Sequence, residues 1–319
     1  MQTNNLMKEQ PLVSIVSVQY GHPEVTIEMI KSLKQVSYPN IEIIIVDNAS
    51  PSGNPDIVKE AFPEIIYIKS DKNLGFAGGN NLGFEVAKGK YVLMLNNDTE
   101  VEKNFLEPLV DKMENNPQIG IVSPKIRFFH SPDTLQYVGY EPINPITQRG
   151  GARGFGEKDL GQYEEDVEAA YGHGAAMMIP MRVVQEVGLM ADIFFLYYEE
   201  LDWAHRIRKA GYKIYYVHNS VILHKESVST GGRISALRAY YMTRNRILYL
   251  RRNFYGFTYF LAVLYQLFIA VPKNAALQAI KGGPKFIKAY SIGVLWHLYN
   301  IRSKKVHHSP KLTTNNIKS

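Results

Sequence analysis

Asp98 is the residue from which chemistry is most directly argued. It lies in Asn96-Asn97-Asp98-Thr99-Glu100, immediately after the apolar run Tyr91-Val92-Leu93-Met94-Leu95. A carboxylate among amides and hydroxyls is a hard-oxygen donor set, suited to a hydrated Mg²⁺ or Mn²⁺ that carries phosphates. Asn, Asp and Thr also favour turns, so a plain strand-ending turn competes with that reading. A second cluster, Glu199, Glu200 and Asp202, opens a stretch that closes with Arg206, Arg208, Lys209 and Gly211. Complementing a helix macrodipole accounts for this order by itself. The aromatic run just before it, residues 193–198, would instead put one carboxylate in a partly apolar pocket and raise its pKa, as a general base requires. His224, taken alone, reads more readily as a structural residue than as a metal ligand.

The apolar pattern supplies the elements that must position these groups. Residues 12–18, 41–46, 65–69 and 91–95 are short β-branched or apolar runs of strand length, with helical spacing over 26–36 and a short helix over 57–61. Residues 73–83 (NLGFAGGNNLG) form a glycine-rich passage between a strand and a helix, where backbone N–H groups approach a diphosphate. The glycines do not fit the dinucleotide spacing, and a tight turn remains an alternative. Strand and helix alternating in this way give an α/β, doubly wound sheet that binds nucleotide at the carboxyl ends of its strands. Beyond it, 105–115 reads as a helix and 119–122 as a strand. Residues 128–168 lack a clear period and are expected to form a binding loop or lid framing an acceptor. Strand character returns over 169–180, 212–217 and 221–223, with a short helix over 181–186.

Composition narrows the class. The chain has 319 residues, 45% of them hydrophobic, and no cysteine, which excludes disulfides and thiolate metal sites. The first ten residues lack the apolar core of a signal peptide, so the expected location is cytoplasmic. The last acidic residue is Glu226; residues 1–226 carry a net charge of −9 and residues 227–319 one of +15. A basic tail of this kind suits an anionic surface, and its Tyr, Phe, Leu and Ile content favours membrane over nucleic acid. Residues 253–272 are uncharged and nearly long enough to span a bilayer, yet Arg251 and Arg252 precede them and Lys273, Lys281, Lys285 and Lys288 follow. Basic flanks on both sides run against the positive-inside asymmetry of a true span. A shallow amphipathic or re-entrant hairpin is expected, with 289–298 as its second apolar piece, peripheral at the inner face of the membrane. The soluble alternative packs these helices on the core or in a homodimer. Residues 303–319 read as a disordered tail.

Taken together, VDNAS at 46–50, NLGFAGGNN at 73–81, LNNDTEV at 95–101, YYEELDWAHRIRKAGY at 197–212, and His224 with Ser227 resemble the inverting family 2 glycosyltransferases of the GT-A fold. TRNRILYLRRNF at 243–254 is similar to the rhamnosyltransferase-like members of bacterial polysaccharide assembly. The resemblance implies a catalytic domain over 11–250, a basic and apolar helical segment over 251–302, and a divalent metal, Mg²⁺ or Mn²⁺. It implies that Asp98 holds the metal, that Asn96 stands where the family has the first aspartate of Asp-x-Asp, and that His224 completes the site. Glu200 matches the presumed catalytic base, with Glu199 and Asp202 positioning the acceptor or the helix. Gln19, Tyr20, Asp47, Asn48, Asn73, Gly75, Asn80 and Asn97 would contact the nucleotide sugar, a dTDP- or UDP-sugar. The implied acceptor is a lipid-linked or polysaccharide hydroxyl. A nucleotidyltransferase, which would use the same sheet and metal cluster but release pyrophosphate, is the alternative.

Overall fold

The computed structural model describes residues 10–51, 53–225 and 235–300. The expected tail over 303–319 and Ser227 lie outside the described residues. Strands and helices alternate at the start: β1 (Val13–Gln19), α1 (Pro23–Leu33), β2 (Ile41–Asp47), α2 (Ile57–Ala61), β3 (Ile66–Lys69), α3 (Gly75–Val86) and β4 (Tyr91–Leu95). These strands pair in parallel in the order β3-β2-β1-β4. Both faces are covered, which is why β4 is apolar throughout and why β1 is buried at every position but Val18. Ile15 and Leu93 pack with Met29 and Leu33 of α1 on one face. Val16, Val92 and Met94 pack with Phe84 and Trp203 on the other.

The glycine-rich passage is not a loop but α3 itself. Four glycines, Gly75, Gly78, Gly79 and Gly83, lie within the helix, and a Cβ on Gly83 would sit 2.2 Å from Cγ1 of Val16. Close packing against β1 thus outweighs a helix-propensity cost of about 1 kcal/mol per glycine.

The second half makes the sheet mixed. It contributes β5 (Thr99–Val101), α4 (Leu106–Glu114), β6 (Ile119–Phe128), β7 (Ser131–Tyr137), β8 (Val167–Glu168), β9 (Ala176–Pro180), α5 (Met181–Val187), α6 (Glu199–Lys209) and β10 (Lys213–His224). β9 runs antiparallel to β4, while β10 lies parallel to β6 and antiparallel to β5. Three sequence expectations change here. The strand expected over 119–122 continues to Phe128. Residues 128–168, expected to be irregular, carry β7 and β8 on the sheet edge. The two strands expected over 212–223 are one, with a register shift between Val217 and Val221.

Among the described residues, four helices follow β10. α7 (Ala236–Asn253) runs through the expected domain boundary at residue 250 and is followed by α8 (Gly256–Tyr265), α9 (Val271–Gly282) and α10 (Lys285–Tyr299). α8 and α9 join through a wider helical turn, so Gly256–Ile280 is one helix long and apolar enough to cross a membrane by length and composition. After Gly283-Pro284, α10 folds back and buries Phe286, Ala289 and Tyr290 against Ala239 of α7. Its opposite side leaves Ile287, Ile292, Leu295 and Leu298 exposed.

Candidate active site

The carboxyl ends of β1, β2 and β4 open onto a cleft of about 450 Å³, walled on the far side by the start of α6 and by α7. Asp98 sits in it on a turn fixed from both sides. The Asn96 amide donates to the Ala175 carbonyl at 2.9 Å, and the Lys225 amide donates to the Asp98 carbonyl at 2.8 Å. His224 ends β10 opposite Thr99. Its Nδ1 lies 2.9 Å from Oε1 of Gln136, and with Nδ1 donating there the neutral ring presents the Nε2 lone pair. That Nε2 faces Oδ1 of Asp98 at 3.1 Å, and both atoms are buried without a hydrogen-bond partner.

Two acceptors facing one another in a buried site call for a cation between or beside them. A carboxylate oxygen with an imidazole nitrogen suits Mn²⁺ or a similar divalent ion. Asn96 lines the same cleft without belonging to this pair. Among the described residues no group of three or more His, Asp or Glu side chains gathers, so a bound ion would rely on diphosphate and water oxygens as well.

Glu199 and Glu200 enter the cleft at the first turn of α6. The segment before them is strained, with Phe195, Tyr197 and Tyr198 at φ of 64°, 67° and 76°. Positive φ at non-glycine residues persists only where the surroundings enforce it. α7 does so here. Nη2 of Arg244 donates to the carbonyls of Ile193 and Phe194, Nδ2 of Asn245 reaches those of Phe194, Leu196 and Tyr197, and Nε of Arg246 donates to the Tyr198 hydroxyl.

Burial pushes both carboxyl groups above the ordinary range, and the charge of Glu200 raises Glu199 further. The pair therefore resists carrying two negative charges at once. Asp202, expected to position the acceptor or the helix, lies apart from the cleft lining. It is fully buried and held by Arg206 at 3.0 Å, Arg252 at 2.8 Å and Asn253 at 2.9 Å. Burial alone would raise its pKa, but these partners hold it below the usual carboxylate range. Asp202 ties α6 to α7.

On the opposite wall stand Tyr20, Asn48, Asn73, Gly75 and Asn97. Asn48 organises this side: its Nδ2 donates to Oδ1 of Asn73 and to the Gly75 carbonyl, while its Oδ1 accepts from the Leu74 amide. The first turn of α3 consequently faces the cleft, a setting that favours anions. Nδ2 of Asn97 donates to Thr26 of α1 at 3.0 Å.

Three expected contacts do not reach the lining. Gln19 is buried, with its amide on Tyr67; Asp47 accepts from the Ser50 hydroxyl and amide; and Asn80 bonds back to the Phe76 carbonyl within α3. The structure adds residues that the sequence did not reveal, among them Gln136, Tyr140, Tyr171, His173 and Arg238. Burial lowers the His173 pKa to about 3, so it is neutral, and its Nδ1 accepts from the Ala175 amide. Nothing in the local sequence around Gln136 marks it, because its role depends on a strand pairing that brings it to His224.

Residues 14–188 match Glycosyl transferase family 2, and the chain belongs to that family. It is 28% identical over 244 residues to the low-salt glycan biosynthesis hexosyltransferase Agl10 of Haloferax volcanii, covering 74% of each chain. It is 23% identical over 246 residues to the N-acetylglucosaminyl-diphospho-decaprenol L-rhamnosyltransferase of Mycobacterium tuberculosis, covering 69% of this chain and 78% of that one. A mannosyltransferase from Pyrobaculum calidifontis, solved with GDP-Man and Mn²⁺, shares the fold with a TM-score of 0.53 at 15% identity, over 92% of this chain and 82% of that one. The protein is a glycosyltransferase of the GT-A fold, and the nucleotidyltransferase alternative finds no support.

Proposed function

We propose that this enzyme is a metal-dependent inverting transferase. It moves a sugar from a nucleoside-diphosphate donor to a hydroxyl of a lipid-linked or polysaccharide acceptor, at an anionic membrane surface on the cytoplasmic side. The observation that carries this reading is the unpartnered Asp98–His224 pair in the same cleft as a carboxylate of raised pKa, Glu200. Asp98 and His224 would hold a divalent cation, which when bound supplies positive charge to stabilise the leaving diphosphate. The first turn of α3, with Asn48 and Asn73 behind it, faces the donor's phosphates.

Glu200 takes the proton of the acceptor hydroxyl. The acceptor oxygen bonds to the anomeric carbon as the bond from that carbon to the diphosphate oxygen breaks, and one displacement inverts the centre. Burial and the neighbouring Glu200 raise the Glu199 pKa, which disfavours a second negative charge in the cleft. A dTDP- or UDP-linked donor, with rhamnose as the sugar, is favoured by the TRNRILYLRRNF motif and by the rhamnosyltransferase among the relatives.

Glu200→Gln tests the reading. It should retain donor binding, read as metal-dependent thermal stabilisation, and lose transfer by about 10²–10⁴-fold. Transfer at the normal rate would remove Glu200 as the base. Stabilisation by nucleoside triphosphates alone, with no response to nucleotide sugars, would overturn the donor class.

A further inference from the structure

A second cavity of about 360 Å³ lies next to the catalytic cleft, and Tyr171 forms part of the wall of both. One side of it is a single face of α6: Leu201, His205, Arg208 and Lys209 follow at the spacing of successive helical turns. Glu200 stands at the head of that helix in the cleft. Arg208 lies eight residues on, about 12 Å further along the axis at 1.5 Å per residue.

The cations here have no acidic partner among the described residues. Arg208 donates only a long bond, 3.3 Å, to the Ala170 carbonyl, and Lys209 sits 5.6 Å from the centre of the Tyr255 ring. Both are exposed. Basic residues at a helix end complement its dipole, but that does not account for a cavity between them and an aromatic wall. Tyr249 and Phe254 form this wall. It leads through Tyr255 to Phe257 and Phe260, which are exposed at the start of the apolar helix Gly256–Ile280.

We propose that this cavity binds the diphosphate and the first isoprenoid unit of a prenyl-diphosphate-linked acceptor, an assignment that rests on the lipid-linked reading above. The order of groups along the surface matches such a molecule. Its sugar hydroxyl meets Glu200, its two phosphates meet Arg208 and Lys209, and its hydrocarbon follows the aromatic residues onto the apolar helix. The long side chains of Arg208 and Lys209 lean back toward the helix N-terminus and shorten the step of about 12 Å. The donor's own diphosphate belongs with Asp98 and α3, so this second cationic set is left for the acceptor.

The test is a binding measurement that requires no turnover. Farnesyl diphosphate is titrated calorimetrically into the full chain in EDTA, with farnesol and inorganic pyrophosphate as separate arms. The expected result is saturable binding of farnesyl diphosphate, at least tenfold tighter than either fragment. It should weaken at least tenfold in R208Q/K209Q and stay within twofold in Asp98→Asn. Circular dichroism and melting temperature establish that both variants fold. Equal affinity for pyrophosphate would make this a free-phosphate site, and equal affinity for farnesol a purely apolar one; either overturns the proposal. So would absent binding, or binding lost in Asp98→Asn and kept in R208Q/K209Q. None of these outcomes bears on the Glu200 experiment, so the two readings fail separately.

Discussion

The Phe76 amide donates to the Phe195 carbonyl at 2.6 Å, which fastens the first turn of α3 to the strained segment that delivers Glu199 and Glu200. The two walls of the cleft are thereby one mechanical unit. Gly75 makes the contact possible: its φ is +71°, and a Cβ there would lie 2.2 Å from the Phe195 oxygen. Gly75→Ala should therefore cost about 2–3 kcal/mol of stability, from positive φ and displaced backbone together. It should also reduce transfer more than tenfold. Urea denaturation and initial rates check this, and a variant with unchanged values of both would show that the contact is dispensable.

Gln136 offers a test of the proposed metal site that does not depend on turnover. Its Oε1 accepts from Nδ1 of His224 and so fixes the tautomer that presents a lone pair toward Asp98. Removing such an outer partner typically weakens metal binding by about 10–100-fold. Gln136→Ala should show that loss when free Mn²⁺ is followed by electron paramagnetic resonance during titration. Unchanged affinity would mean that His224 is oriented by other contacts or does not bind the ion.

The parallel half of the sheet was legible because a strand covered on both faces must be apolar throughout, as 91–95 is. α3 was not, since its glycines serve packing against Val16 while local propensity argues for a turn. β7 begins with exposed Ser131, Pro132 and Asp133, which hide the buried Leu135, Gln136 and Tyr137 that follow. Of the acidic cluster, Glu199 and Glu200 line the cleft. Asp202 looked alike in sequence, because its partners Arg252 and Asn253 lie some fifty positions away on α7. Asp98 and His224 were separately suggestive, and only the β5–β10 pairing brings them together.

The buried carboxyl pair gives a pH signature. Glu199 has its pKa raised well above 4.5 by burial and by Glu200, so the folded state holds this proton more tightly than the unfolded chain does. Its contribution to stability is fully present below the unfolded value and is lost as pH rises through the folded one. Glu199→Gln stays neutral throughout. The melting temperature of the variant minus that of the wild type should accordingly increase between about pH 5 and about pH 8. A flat or falling difference would show that Glu199 is ionised in the native protein.

The carboxyl-terminal helices carry a surface that combines cations with exposed hydrocarbon. Lys285, Lys288, Ile292, Leu295 and Tyr299 recur at three- and four-residue intervals on α10, and all are exposed. Phe257 and Phe268, 74% and 73% exposed, stand on the long apolar helix with Lys273 beyond them. A helix lying in the headgroup region needs both features, and packing on the core does not cover these side chains. Each lysine near an anionic leaflet contributes about 1 kcal/mol. Replacing Lys273, Lys285 and Lys288 together by Gln should therefore weaken binding to phosphatidylserine vesicles roughly 100-fold at low salt. The difference should shrink as salt screens the charges. On neutral phosphatidylcholine vesicles wild type and variant should bind alike, through the apolar residues alone. Vesicle sedimentation measures all three cases, and equal binding to anionic vesicles at low salt would place these lysines away from the lipid.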